Sequence, residues 1–144
     1  MSLRRKGREL ALQVLYQLDL SGESSEHGLH GFAESFETSP KARAFAWDLV
    51  RGVRDGQAEL DATLEAASEH WRLERLARID ANVIRIAMYE MTHGLPIEIA
   101  INEAVEVARK YGTTESAAFV NGVLDAVARR LGLARGQKPA AREQ

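Results

Sequence analysis

The chain has 144 residues, of which 45% are hydrophobic and 28% charged, and this balance is typical of one globular domain rather than of a disordered chain. Cysteine is absent, which excludes disulfide bridges, thiolate catalysis and thiolate zinc sites. The formal net charge is −2, but residues 1–17 carry +3 and residues 129–144 carry +4, so the segment between them carries −9.

Apolar residues recur at the helical period along almost the whole chain, and no segment alternates long enough to predict a strand. The first predicted helix covers 4–19 and has one apolar stripe, formed by Leu10, Ala11, Val14, Leu15 and Leu18. A second helix is predicted at 28–37. Ser39 followed by Pro40 predicts the start of a third, which ends near Gly56, because a serine hydroxyl caps backbone N–H groups and proline suits the first turn.

Four further helices are predicted in the second half of the chain. The first covers 57–70, and a short turn around Leu73 and Leu76 separates it from a helix that begins at Asp80, its N-cap, and ends near His93. The last two cover 97–111 and 115–131, and each ends before a glycine. We therefore predict an all-α, single-domain bundle of about seven helices over 1–133, followed by a flexible basic tail at 134–144.

The first predicted helix carries four cations within five residues: Arg4, Arg5, Lys6 and Arg8. Their charges repel one another at the positive end of the helix dipole, and a polyanion would relieve this repulsion by placing phosphates among them. Opposite its apolar stripe, the helix presents Leu12, Gln13 and Tyr16. From these residues alone, nucleic-acid binding and a merely solvated basic face are both open.

The last predicted helix has two features that its apolar stripe does not require. Phe119 lies at the edge of the stripe, where it suits either the core or a platform that stacks an unpaired base. Gly122 inside a helix costs ~1 kcal/mol relative to alanine, so we expect close approach there, by another helix rather than by a ligand. Asn121 points away from the core.

The two helices between these have more ordinary patterns. The helix predicted from Asp80 is apolar on most sides, which predicts a central position or a partner surface. Its Arg85 is expected to pair with Glu90 or with another neighbouring carboxylate. The helix at 97–111 carries polar residues at successive four-residue spacings, which predict a solvated, self-paired face: Glu98, Asn102, Glu106 and Lys110.

The sequence contains no catalytic or metal-binding motif. It lacks a glycine-rich phosphate loop, a nucleophile elbow and an HExxH pattern. His27 and His30, with Glu26 and Glu34 nearby, are better explained as a surface group than as a metal site. We therefore predict no enzymatic activity, no metal and no cofactor.

Five stretches, taken in order and spacing over about residues 4–131, resemble the transcription antitermination factor NusB family. They are Arg4-Arg5-Lys6-Gly7-Arg8-Glu9 with Gln13-Val14-Leu15-Tyr16, Trp71 with Leu73-Glu74-Arg75-Leu76, Ile79-Asp80 with Ile84-Arg85-Ile86-Ala87-Met88-Tyr89-Glu90, Ala100-Ile101-Asn102-Glu103-Ala104-Val105-Glu106, and Phe119-Val120-Asn121-Gly122-Val123-Leu124-Asp125. The last two stretches are the more specific ones.

The resemblance implies an all-helical RNA-binding adaptor without catalysis. Such a protein binds the boxA element of nascent ribosomal RNA leader transcripts with ribosomal protein S10 (NusE), and joins RNA polymerase and other Nus factors in antitermination. The RNA contacts implied are Arg4, Arg5, Lys6, Arg8, Gln13, Glu115, Phe119 and Asn121. The S10 contacts implied are Tyr16, Asp80 and Arg85, and a basic ribosomal protein also suits the acidic middle of the chain.

Several points stay open at this level. Gly7 interrupts the basic turn and predicts a segment that becomes ordered only on RNA. The resemblance is weak over 21–38, and the family includes both monomers and homodimers. A similar domain begins an rRNA cytosine methyltransferase, so the isolated RNA-binding domain of that enzyme is the alternative. No apolar stretch reaches the ~20 residues that span a bilayer and no signal peptide is evident, so we expect no membrane contact and a cytoplasmic location.

Overall fold

The computed structural model describes residues 2–21, 39–67 and 70–133. Within these ranges the chain forms six α-helices and a 3₁₀ turn at Leu73–Arg75, without a β-strand. The helices are α1 (Leu3–Ser21), α2 (Pro40–Asp55), α3 (Gln57–Ala66), α4 (Arg78–Thr92), α5 (Ile97–Tyr111) and α6 (Ser116–Arg130). The all-α prediction is confirmed, whereas the helix predicted at 28–37 and the tail predicted at 134–144 lie outside the described residues.

Local sequence signals set several helix ends. The Ser39 hydroxyl accepts a hydrogen bond from the Ala42 amide at 3.3 Å, and α2 ends before Gly56 as predicted. The bounds of α5 also agree with the prediction. Asp80 is not an N-cap, since α4 begins at Arg78 and Asp80 lies in its first turn. The helix predicted at 57–70 ends earlier, at Ala66.

Helix α4 occupies the centre of the bundle, as its apolar sides predicted. Residues 80–88 are all buried, and α4 packs against each of the other five helices. Burying one large aliphatic side chain stabilises the fold by about 1.5–3 kcal/mol. The many buried side chains of α4 therefore fix the other helices around it. Among the described residues, no helix combines the length and apolarity needed to cross a bilayer.

Helix α1 is enclosed more completely than its sequence suggested. Its predicted apolar stripe is buried, and so is Leu12, at 1% exposure. The interpretation of Leu12 as a surface residue was wrong, because α1 packs against α2, α4 and α5 together. Apart from its two ends, which include the exposed Arg4, α1 reaches the solvent only along a narrow strip that includes Lys6 and Gln13.

Helix α1 approaches α2 closely at Gly7. A Cβ atom placed on Gly7 would lie 2.5 Å from Cδ2 of Phe45 and 3.2 Å from the carbonyl oxygen of Ala42. The glycine therefore lets the Phe45 ring pack directly on the backbone of α1. Helix α1 runs from Leu3 through Gly7, so the glycine does not interrupt the helix.

Gly122 has the opposite environment. It is exposed on α6, and no atom of the described residues lies within 4 Å of a Cβ placed on it. Crowding by another helix was therefore the wrong explanation for this glycine. The backbone of α6 is open to the solvent at this point.

Substitution by alanine should change the free energy of unfolding in opposite directions at Gly7 and Gly122. We expect Gly7→Ala to lower the free energy of unfolding by about 1–3 kcal/mol, because the new Cβ overlaps Phe45. Gly122→Ala should raise it by about 0.5–1 kcal/mol, because alanine restricts the unfolded chain and meets no atom. Urea unfolding of both variants measures the difference, and equal changes of the same sign would contradict this packing.

Candidate nucleic-acid and partner interfaces

One flank of α1 lies along α5 and is joined to it by charged side chains. Arg5 donates from Nε and Nη2 to the two carboxylate oxygens of Glu103, at 2.9 and 2.8 Å. One turn further, a carboxylate oxygen of Glu9 accepts from Nζ of Lys110 at 2.9 Å and from the hydroxyl of Tyr111 at 3.0 Å. The four-residue spacing keeps these contacts on one side of α1.

The side chain of Arg8 extends from α1 between α4 and α5 and is only 7% exposed. It donates from Nε and Nη2 to the Glu90 carboxylate at 2.8 and 2.9 Å, and from Nη1 to Glu103 at 3.4 Å. Glu90, Arg8, Glu103 and Arg5 thus form a continuous ion chain with no net charge. Carboxylates relieve the repulsion here, so the argument that these two arginines require a polyanion was wrong.

The hydrogen bonds between Arg5 and Glu103 shift the pKa values of both groups. The Arg5 guanidinium lowers the pKa of Glu103 below its usual value, against the opposing effect of burial. The same bonds raise the pKa of Arg5. Burial, with the neighbouring Glu9 carboxylate, raises the pKa of the Tyr111 phenol.

The remaining cations of the first turn have a different environment. Arg4 and Lys6 are exposed, and neither side chain forms an ion pair with any residue that the structure describes. The Arg4 guanidinium carbon lies 5.7 Å from the centre of the Phe45 ring, within the range of a cation–π contact. The unpaired positive charge at the start of α1 therefore comes from Arg4 and Lys6.

The turn between α5 and α6 follows Tyr111 directly, so it begins beside α1. It is held by hydrogen bonds from the Thr113 amide to the Ser116 hydroxyl at 2.9 Å and from the Glu115 amide to the Thr113 hydroxyl at 3.3 Å. The Glu115 side chain is exposed. Phe119, one turn into α6, packs partly against the core and keeps part of its ring accessible.

Two more predicted RNA contacts lie near this turn or just beyond it. Gln13 is half-buried and follows Arg5 and Glu9 at four-residue spacings on the flank of α1 that contacts α5. Asn121 is exposed on α6, next to the open backbone at Gly122. Helix α5 packs against both α1 and α6 and so connects these residues to the basic turn.

The other end of α1 meets the start of α4 and forms a second surface. Asn82 donates its side-chain amide to the Asp19 carboxylate at 2.8 Å, and Arg78 donates to the Asp19 carbonyl at 2.7 Å. Tyr16 lies three residues earlier in α1 and is half-buried. An adjoining cleft of about 390 Å³ includes Asp19, Gln57, Leu73, Glu74, Leu76 and Arg78.

Asp80 at this end has an unusual environment. It is 9% exposed, and its Oδ1 atom accepts no hydrogen bond from any described residue. A buried carboxylate oxygen without a hydrogen bond costs free energy, so such oxygens are rare in native proteins. The Oδ1 atom is closed to solvent as well, so a donor from outside the chain reaches it only if the packing at the start of α4 opens.

Arg85 also lines the cleft beside Asp19, but most of its side chain is buried in the bundle. Its side chain is 8% exposed, and it donates to the Asp61 carboxylate at 2.8 and 3.1 Å and to the Asn82 side-chain oxygen at 3.0 Å. The sequence predicted either Glu90 or another neighbouring carboxylate as the partner of Arg85. The structure shows the second possibility. Asp61 could not be predicted as this partner from the sequence, because it belongs to another helix, α3.

The predicted self-paired face of α5 is only partly present. Glu106 pairs with Arg109 on the same helix, but Lys110 pairs across to Glu9 of α1. Long-range partners of this kind leave no periodic signal in the sequence. Over 2–21, 39–67 and 70–133, no group of three or more histidine or carboxylate side chains is placed to hold a metal ion, and the group at 26–34 lies outside these ranges.

Comparisons with known proteins agree on one family. The model of the NusB family matches residues 5–129. A transcription antitermination protein NusB of Trichlorobacter lovleyi is 46% identical over 127 residues, which are 87% of this chain and 89% of the relative. One from an Anaeromyxobacter species is 47% identical over 133 residues, which are 89% of this chain and 92% of the relative.

Solved structures of similar fold support the same assignment. NusB of T. maritima superimposes with a TM-score of 0.76 at 31% identity, covering 90% of this chain and 97% of its own. A crystal structure of the antitermination factors NusB and NusE in complex with dsRNA contains a chain with a TM-score of 0.78 at 26% identity, covering 90% and 98%. The resemblance drawn from the sequence motifs and the all-helical fold is confirmed.

The depressed pKa of Glu103 predicts a pH-dependent contribution to stability. We expect Glu103→Gln to lower the free energy of unfolding by about 1.5–3 kcal/mol at neutral pH, because charge-assisted hydrogen bonds are lost. The wild-type advantage is present above the ordinary carboxyl pKa of 4.5 and disappears as the pH falls through the lower folded-state pKa. Urea titrations from pH 7 to acid test this, with exposed Glu106→Gln as the control. A difference that grew on acidification would contradict it.

Proposed function

The chain belongs to the NusB family, and we propose that it binds boxA RNA of nascent ribosomal RNA leader transcripts together with ribosomal protein S10 (NusE). In this proposal the pair joins RNA polymerase and other Nus factors in the cytoplasm, where it promotes antitermination. The observation that carries the RNA part is the exposed, unpaired charge of Arg4 and Lys6 at the start of α1. The complex of related NusB and NusE factors with dsRNA supports RNA and NusE as the two partners, whereas the choice of a single strand rests on Phe119.

The basic residues of α1 divide into two roles. Arg4 and Lys6 would contact phosphates directly. Arg5 would do so with Nη1, which makes no hydrogen bond to any described residue while Nε and Nη2 hold Glu103. Arg8 is buried and satisfied by Glu90 and Glu103, so we assign it a positioning role instead of a phosphate contact.

The α5–α6 turn and the start of α6 would supply the base contacts. The accessible part of Phe119 suits stacking on an unpaired base, which favours single-stranded RNA over a duplex of the same sequence. Gln13, Glu115 and Asn121 would hydrogen-bond base edges beside it. The open backbone at Gly122 leaves room for RNA to lie close to α6.

The S10 part of the proposal rests on the surface formed by Tyr16 and Asp80. A basic ribosomal protein would be attracted by the negative charge of Asp80, and its donor would reach the unpaired Oδ1 atom if the packing at the start of α4 opened on binding. Arg85 would act indirectly, because it holds the Asn82 side chain that in turn holds Asp19. Arg4 and Tyr16 are twelve residues apart, or about 18 Å along α1, so the phosphate contacts are separate from the S10 surface. Gln13 lies one turn before Tyr16, and the RNA and S10 surfaces adjoin there.

The alternative is the isolated RNA-binding domain of an rRNA cytosine methyltransferase. The relatives described above are antitermination proteins, and they are matched over 89% and 92% of their own length. This observation favours the antitermination factor.

Salt-dependent RNA binding tests the phosphate contacts. We expect Arg4→Ala or Lys6→Ala to weaken binding of a boxA RNA, in the presence of S10, about fourfold at about 0.15 M salt. Each variant should also reduce the slope of log affinity against log salt by about 0.7, since each removes one phosphate contact. Fluorescence anisotropy of labelled RNA measures both quantities.

The control for these variants is Arg54→Ala, which removes an exposed cation from the far end of α2. Its affinity and slope should match those of the wild type. Wild-type slopes in all three variants, or equal affinity for the single strand and its duplex, would exclude the proposed RNA surface.

Asp80 gives a separate test of the S10 surface. We expect Asp80→Asn to weaken S10 binding by about ten- to a hundredfold, because a charge-assisted hydrogen bond is lost. The free energy of unfolding of the isolated protein should change by less than about 1 kcal/mol, because Oδ1 makes no internal hydrogen bond and only the interaction of the charge with the first turn of α4 is lost. Calorimetric titration with S10 and urea unfolding measure the two effects, with exposed Asp48→Asn as the control. Unchanged S10 affinity together with lower stability would assign Asp80 a purely internal role.

A further inference from the structure

We infer that the RNA-binding surface continues from α1 onto the first turn of α2, where Arg4, Lys41 and Phe45 form a basic–aromatic patch. The inference that this α2 patch binds RNA rests on the proposed function, and it extends the RNA-binding surface beyond α1. Neither Lys41 nor Phe45 belongs to the residues that the family resemblance assigned to RNA.

Close packing of two helix starts brings the α2 patch together. The absence of a side chain at Gly7 allows Phe45 to lie directly on α1, one turn after Arg4. The Arg4 guanidinium carbon is 5.7 Å from the centre of the Phe45 ring. Lys41 precedes Phe45 by four residues, so the two side chains lie on the same face of α2, one turn apart.

The charge of the α2 patch is not neutralised by the described part of the protein. Lys41 is exposed, like Arg4, and its side chain forms no ion pair or hydrogen bond with a described residue. The first turns of α1 and α2 contain no acidic residue. The first carboxylate along α2 is Asp48, which lies 3.9 Å from Arg51.

This environment differs from that of Arg5 and Arg8, which are neutralised by Glu103 and Glu90. At the α2 patch the cations also lie at the positive ends of two helices, where they are unfavourable. Phosphates would relieve both effects and release counterions on binding. The argument from charge repulsion therefore applies to Arg4 and Lys41.

The aromatic ring makes an RNA strand a better match than an isolated phosphate. Phe45 is half-buried, with its inner part against the core and its ring near two guanidinium groups, those of Arg4 and Arg8 at 5.7 and 5.5 Å. Cations around an accessible aromatic edge are typical of surfaces that bind single-stranded nucleic acid. A strand would contact the cations with phosphates and the ring with a base or a ribose.

The α2 patch is continuous with the RNA surface proposed on α1. Successive residues of a helix are ~100° apart, so Arg5, Lys6 and Gly7 point in turn to α5, to the solvent and to α2. Lys6 thus lies between the α5 flank and the α2 patch. A strand that leaves Phe119 and crosses α1 at Lys6 would next reach Lys41.

The test compares Lys41→Ala with Arg54→Ala, a matched loss of an exposed cation thirteen residues, or about 20 Å, further along the same helix. In the complex with S10, Lys41→Ala should bind boxA RNA about fourfold more weakly at about 0.15 M salt, with a slope reduced by about 0.7. Lys41→Arg should restore both values, and Arg54→Ala should leave them unchanged.

The outcomes separate this inference from the function on which it rests. If Lys6→Ala weakens binding and Lys41→Ala does not, the α2 patch is excluded and the proposed function stands. If neither variant changes the affinity or the slope, both are excluded. Thermal unfolding of each variant verifies that the fold is intact.

A second readout locates the RNA directly. The wild-type complex with RNA that carries photoreactive 4-thiouridine is irradiated, and the crosslinked peptides are identified by mass spectrometry. We expect crosslinks in the peptide that contains Lys41 and Phe45 as well as in the peptide that contains Phe119. Crosslinks confined to the Phe119 peptide would overturn the inference.

Discussion

The ion chain that runs from Glu90 through Arg8 and Glu103 to Arg5 determines how α1 sits in the bundle. It joins three helices through four side chains, and its two most buried members, Arg8 and Glu90, are only 7% and 10% exposed. Breaking a buried pair of this kind leaves an uncompensated charge, which costs several kcal/mol. The basic start of α1 is therefore held rigidly against α4 and α5 before any partner arrives.

Because α1 is fixed against α4 and α5, the cations in its first turns have different functions. Arg8 and, in part, Arg5 are used to attach α1, whereas Arg4 and Lys6 keep their charge exposed. Lys41 of α2 adds to that exposed charge because Gly7 lets the two helices touch. The surface available to a polyanion thus depends on which cations have carboxylate partners and on how closely α1 and α2 pack.

The two ends of α1 have complementary characters. The N-terminal end is cationic and borders an aromatic ring, whereas the C-terminal end presents Asp19 and the nearby Asp80 with an unpaired carboxylate oxygen. Such an arrangement suits an adaptor that holds a nucleic acid and a basic protein at the same time. The ~18 Å between Arg4 and Tyr16 separates the phosphate contacts from the S10 contacts, and the two contact areas adjoin near Gln13.

By itself the sequence determined the helical class, the buried stripe of α1, the cap at Ser39, the bounds of α5 and the family. These features depend on local chemistry and on a period of 3.6 residues, both of which are present in neighbouring positions. The tertiary structure alone decided which charges are paired, since Glu103 is 98 residues from Arg5 and Asp61 is 24 from Arg85. It also decided that Gly7 is a contact and Gly122 an open surface, because the space around a glycine is set by helices distant in the chain.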